Sequence, residues 1–174
     1  MTQFEQAVAA YQGFTDLFES VMLSTVNASG MPHASYAPFV MDEAKNVYIF
    51  VSGLSTHTQN LRTTGKACVL LIEDEAKSQQ IFARRRLTLD CRATLLERGQ
   101  PSWNGIADKF QARFGKLIEM FRELEDFNIF KLVPDAGRFV IGFGAAYKIN
   151  ADNLNTLEHI TGDGHGRRQS QATN

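Results

Sequence analysis

From Arg86 onward the chain alternates, with Leu87, Leu89, Cys91, Ala93 and Leu95 on one face and Thr88, Asp90, Arg92 and Thr94 on the other. A period of two marks a half-buried strand. The whole run from Ile81 to Leu96 reads as one element of roughly 12 residues or more, against a usual ~5–6, a length that suits a barrel whose strands bend to serve two sheets. Val21–Val26, Pro32–Val40, Val47–Val51 and Ala67–Ile72 predict four more strands. Asn27–Gly30 and Asp42–Asn46 supply polar turns between the first three, so these form an antiparallel meander. Pro38 cannot donate to a ladder and predicts an edge or a bulge in the second strand. Further along, 127–133 and 138–143 read as two strands across the turn Pro134-Asp-Ala-Gly137, with 145–149 continuing the second.

Helical spacing appears in four places. Phe4, Val8, Tyr11, Leu17 and Phe18 form an imperfect stripe over 3–20, interrupted by Gly13. Leu54, His57 and Leu61 fall on one side of a short helix with Ser55 as the expected N-cap. Pro101 opens the clearest helix, in which Ile106, Phe110, Phe114, Leu117, Ile118 and Phe121 recur three and four apart. Residues 152–159 read as a last helical turn or two. About seven strands with appended helices indicate the α+β class, an antiparallel barrel with flanking helices in a single domain over 1–160. The polar 161–174 segment is expected to be a mobile tail.

Composition narrows the function without naming it. At 174 residues the chain suits one core. A formal net charge of −1 gives no field that would recruit nucleic acid or an acidic membrane. No apolar run approaches the ~20 residues of a membrane span, and no signal-peptide pattern opens the chain, so a cytoplasmic address is expected. Cys68 and Cys91, with no metal spacing, read as small hydrophobes in a reducing compartment. The run Arg84-Arg-Arg86 has two readings: a solvated strand edge that discourages aggregation, or a bidentate clamp for phosphate or carboxylate.

Several stretches resemble one family. These are Ser24-Thr-Val, Ser35-Tyr-Ala-Pro-Phe, Leu54-Ser-Thr-His-Thr-Gln-Asn-Leu61, Ile72-Glu-Asp-Glu75, Phe82-Ala-Arg-Arg-Arg-Leu-Thr-Leu-Asp90 and Val140-Ile-Gly-Phe-Gly-Ala-Ala-Tyr147. In this order they are similar to the haem-utilisation proteins of the split-barrel superfamily, which also holds the pyridoxamine-phosphate oxidases and other FMN-binding flavoproteins. The resemblance implies a split barrel, a homodimer with ligand sites at the subunit interface, and haem that is bound and opened oxidatively to release iron.

It also implies site residues. His165 matches the family's proximal ligand to haem iron, with His159 as the alternative; a haem iron takes a neutral imidazole. Asp126 matches the carboxylate that the other subunit sets against that imidazole, and its plainer reading is a turn residue. Arg86 matches an arginine on the distal side of haem. His57 matches a position where flavin-binding relatives carry a phosphate contact, and otherwise reads as a partly buried helix residue. Where flavoproteins use basic residues at the phosphate, Thr56, Thr58 and Gln59 stand here. The expected activity is therefore a haem-degrading oxygenase using O2 and an external electron donor. An FMN-dependent oxidoreductase and a haem carrier without turnover are the alternatives.

Overall fold

In the computed structural model, which describes residues 1–160, six strands close into an antiparallel barrel. They are β1 (Ser20–Val26), β2 (Pro32–Met41), β3 (Val47–Ser52), β4 (Lys66–Ile72), β5 (Arg86–Leu95) and β6 (Phe127–Gly142). Neighbours run β3-β2-β1-β4-β5-β6, and the ring shuts where β3 pairs with β6 from Val47↔Leu132 to Ser52↔Phe127. β7 (Ala145–Asn150) and β8 (Asn153–His159) extend the sheet beyond β6. The helices are α1 (Gln3–Gln12), α2 (Thr56–Thr64), α3 (Pro101–Phe114) and α4 (Leu117–Glu123). The α+β split-barrel class expected from the sequence is the class observed.

Two apolar clusters explain the strand patterns. Inside the barrel Val21, Leu23, Phe39, Val69, Leu87 and Phe130 pack together. Outside it, Val40, Tyr48, Phe50 and Ile129 meet Trp103, Ile106, Phe110 and Ile118 of α3 and α4. β3 faces both clusters, Val47, Ile49 and Val51 inward and Tyr48 and Phe50 outward, so it is buried on both sides and reads as a continuous apolar run. Pro38 sits where β2 changes partner: the strand pairs with β1 through Pro38 and with β3 from Phe39 onward. The missing N–H thus falls at a break in the ladder.

Six expectations need correction. Residues 145–149 do not continue the strand before them; the chain turns back at Gly144, φ 66°, and they pair antiparallel with β6 as β7. The strand led by the arginines begins at Arg86, because Ile81–Ala83 forms a 3-10 turn capped by the Gln80 side chain. The leading helix stops at Gln12, and Thr15–Leu17 is a separate 3-10 turn. The long helix breaks at Gly115, whose φ of 76° and ψ of −151° lie where only glycine sits comfortably. Pro134–Gly137 is no turn, since β6 runs through it. Pro134 faces Cys91 and Ala136 faces Asp90, so Asp135 is the extra residue of a bulge, with its carboxylate on Arg92 Nε at 2.8 Å. Residues 153–159 form β8 instead of a helical turn, paired to β7 from Tyr147↔His159 to Asn150↔Asn153. Among the described residues no helix is long and apolar enough to cross a membrane.

Candidate functional site

Asp126 lies one residue before β6, where the chain enters the seam with β3. Its surroundings are built by the turn between β3 and α2. Ser52 Oγ donates to Asp126 Oδ2 at 2.9 Å and accepts the Leu54 N–H at 3.2 Å. The Gly53 N–H and the Asn128 side-chain amide both donate to the Asp126 carbonyl at 2.6 Å. Asn128 is itself held by Arg62 at 2.8 Å. Arg98, stacked 4.6 Å over the Trp103 ring, donates to the carbonyls of Arg122, Leu124 and Phe127 at 2.6, 2.7 and 2.7 Å. The backbone on both sides of Asp126 is therefore pinned, while its exposed carboxylate keeps one oxygen, Oδ1, without a hydrogen bond among the described residues.

Beside this corner a cavity of about 390 Å³ opens between α3–α4 and the outside of the barrel. Phe50, Phe110, Phe114, Phe121 and Phe127 form its wall, with Ser52, Ser55 and His57 as the polar part of the lining. An aromatic wall with few polar groups suits a flat, largely apolar ligand. His57 accepts or donates at Nδ1 with the Ser35 hydroxyl at 3.1 Å, and its buried Nε2 has no partner among the described residues. Burial, and secondarily the nearby His33, push its pKa down, so His57 is neutral in neutral solution. The Thr58 hydroxyl is committed to the Ser52 carbonyl at 2.6 Å. Ser55 holds the N-cap position of α2 with no side-chain capping bond.

The arginine run sits elsewhere. Arg85 binds the Glu73 carboxylate through its backbone N–H and through Nε, each at 2.8 Å, and Arg84 holds the Glu73 carbonyl and, at 3.0 Å, Glu75. Neither is a bare solvated edge; together they lash the β4–β5 connection. Arg86, half-buried, spends one Nη1 hydrogen on the Arg84 carbonyl at 3.1 Å. It pairs in register with Val140, at the opposite end of β6 from Asp126. One chain thus brings Asp126 and His57 to neighbouring positions and leaves Arg86 apart from them. His159 ends β8, its Nε2 3.0 Å from the Gly144 carbonyl and its ring 5.2 Å from Tyr147. His165 lies outside the described residues. Sequence reasoning missed Ser52, Gly53, Arg98 and Asn128; only Asn128, two residues along, is local to Asp126.

The profile of the family described as Pyridoxamine 5'-phosphate oxidase matches residues 7–141. Heme oxygenase HutZ of Vibrio cholerae is 37% identical over 147 residues, 84% of this chain and 82% of that protein. The chain belongs to the haem-utilisation group of the pyridoxamine-phosphate-oxidase-like split barrels. Two crystal structures of that group superpose closely on it. Campylobacter jejuni ChuZ matches with a TM-score of 0.82 and 34% identity, over 96% of this chain and 68% of that one. HutZ from Vibrio cholerae, described there as a haem storage protein, matches with a TM-score of 0.73 and 32% identity, over 78% of this chain and 96% of that one.

Proposed function

We propose that this protein binds haem at a site completed by a second copy of the chain and opens the porphyrin oxidatively, releasing iron. The observation that carries this reading is the Asp126 carboxylate, tied on one oxygen and open on the other, beside an aromatic-walled cavity in a chain 37% identical to Heme oxygenase HutZ. Bound haem supplies the oxygen chemistry, using O2 and electrons from an external donor. The chain's own residues hold and orient it. His165 ligates the iron, with His159 as the alternative ligand. Asp126 of the second subunit accepts the ligating imidazole's remaining N–H, fixing its tautomer and raising its basicity. The aromatic wall would exclude water from bound haem, His57 would offer it a neutral imidazole, and Arg86 would supply a guanidinium to the site.

A homodimer is supported by the barrel exterior. Tyr36, Met22 and Leu70 stand in one cross-strand row there, and the first two are 65% and 54% exposed. Apolar side chains grouped this way on a sheet face mark an interaction surface, and an obligate dimer buries on the order of 2,000 Å². Light scattering at low micromolar concentration is expected to give the dimer mass, and a monomer would end the two-chain site.

Two observations weigh against FMN as the native ligand. A phosphate clamp needs positive charge or free donors, whereas His57 is held neutral and the Thr58 hydroxyl is already engaged. Titration of the purified protein with haem separates the readings. A Soret band that bleaches with ascorbate in air supports haem degradation. A stable Soret band under the same conditions supports a carrier, and a yellow protein as purified supports the flavin alternative. His165→Ala is expected to abolish the His-ligated spectrum with fold and dimer intact, while His159→Ala changes little. The reverse outcome would transfer the ligand role to His159.

A further inference from the structure

Ser52 has one proton to give. Its oxygen already accepts the Leu54 N–H at 3.2 Å, so the hydroxyl proton goes to Asp126 Oδ2 at 2.9 Å. This contact stops rotation of the carboxylate and leaves Oδ1 as the oxygen available to an incoming donor. Gly53 fixes the same residue through its main chain. Its N–H reaches the Asp126 carbonyl at 2.6 Å, and a Cβ at position 53 would lie 2.9 Å from that oxygen. A contact that short does not occur between real Cβ and carbonyl oxygen atoms, so the approach requires glycine. The dipeptide is itself anchored, because Ser52 pairs with Phe127 across the seam and its carbonyl accepts the Thr58 hydroxyl at 2.6 Å.

We propose that Ser52, with Gly53, is a positioning pair that aims the Asp126 carboxylate at the iron-ligating imidazole and tunes the strength of that contact. This inference rests on the haem reading above. A carboxylate that already accepts a serine proton divides its charge between two donors, so Ser52 sets how strongly Asp126 pulls on the imidazole N–H. That pull controls the electron density the imidazole passes to the iron. Ser52 acts through Asp126.

The test is the iron–imidazole stretching band in the resonance Raman spectrum of the ferrous haem complex, measured on the full-length chain. Ser52→Ala is expected to displace the band and to weaken haem binding about 10-fold, the lower end for loss of a contact behind a metal ligand. Ser52→Thr, which keeps the hydroxyl, is expected to return the band to its wild-type position. A band that moves in Asp126→Asn but stays in place in Ser52→Ala overturns the proposal and leaves Ser52 a turn residue. A band that stays in place in Asp126→Asn shows instead that the carboxylate does not touch the ligating imidazole, and the role of Ser52 falls with it. Should Ser52→Ala fail to fold, Gly53→Ala keeps the hydroxyl and displaces the Asp126 carbonyl. It is expected to shift the band, and an unshifted band overturns the proposal.

Discussion

At its first residue β6 follows Asp126, which is held by a serine hydroxyl, a glycine N–H and an asparagine amide. Near its last residues β6 pairs with Arg86, next to Arg84 and Arg85, whose guanidinium groups grip the backbone and carboxylates of the β4–β5 connection. The first corner holds Asp126 directly through neutral donors, with Arg62 and Arg98 one step back on an amide and on backbone carbonyls, and leaves a carboxylate oxygen free. The second uses ion pairs, and most of its charge is consumed internally. Neutral contacts hold a group in place without responding to salt or to moderate pH change, whereas ion pairs respond to both. The contacts that hold Asp126 therefore do not titrate, whereas those of the arginine corner do.

The comparison breaks most completely if the shared spine fails. Phe139 is fully buried on β6 and meets the rings of Tyr11 and Phe14 at 5.4 and 5.1 Å. Phe139→Ala is expected to cost about 3–5 kcal/mol in urea denaturation and to loosen both corners together. If only the arginine end loosened, as read by hydrogen exchange, β6 would not be acting as one strand.

A smaller effect separates the corners. Asp126→Asn keeps the shape and hydrogen bonds of the turn but removes the charge. Haem is expected to remain bound while its degradation slows by ~10–100-fold. Wild-type turnover in this variant would return Asp126 to an ordinary turn residue.

The smallest effect lies at the ionic corner. Burial alone would raise the Glu73 carboxyl, but its hydrogen bonds and charge pairing with Arg85 outweigh that and hold it below the usual carboxylate range. A depressed folded-state pKa gives stability that is present above the unfolded value, near ~4.3, and is lost as pH falls through the folded value. Glu73→Gln is expected to cost about 1 kcal/mol at neutral pH, and the gap to wild type should close below pH ~4. A gap independent of pH would mean that packing, not charge, matters there. Turnover at neutral pH should be unchanged in this variant.

Much of the barrel was legible in the sequence because it depends on local alternation. Leu87, Leu89 and Cys91 face inward as their spacing required, and the apolar Val47–Val51 run forms the strand it predicts, here buried on both faces. The four residues Pro134-Asp-Ala-Gly137 misled for an equally local reason: they carry turn chemistry, and nothing nearby reveals the partner strand. In the folded molecule β5 offers a continuous ladder opposite them, so the chain absorbs Asp135 as a bulge and continues. Gly137 serves close packing there, since a Cβ would come within 2.9 Å of Leu89 Cδ2 and 3.0 Å of Ile149 Cδ1. Residues 153–159 were ambiguous, because Leu154 and Leu157 fit a helical turn as well as a strand. Pairing with β7 and the Tyr11 hydroxyl bond to the Leu154 carbonyl at 2.6 Å decided for the strand.

By itself the sequence determined the periodicities, and with them the strand count to within one and the class of fold. It also marked Asp126, His57 and Arg86 as residues worth locating. The tertiary structure alone decided how these are placed. Ser52 and Asp126 are 74 residues apart, and only closure of the β3–β6 seam brings the hydroxyl to the carboxylate. Pairing of β5 with β6 sets Arg86 beside Val140, near the other end of β6. Side-chain patterning is a local property that the chain carries with it. A hydrogen bond between distant residues exists only after the entropy of closing the intervening loop has been met by the packing of the whole barrel.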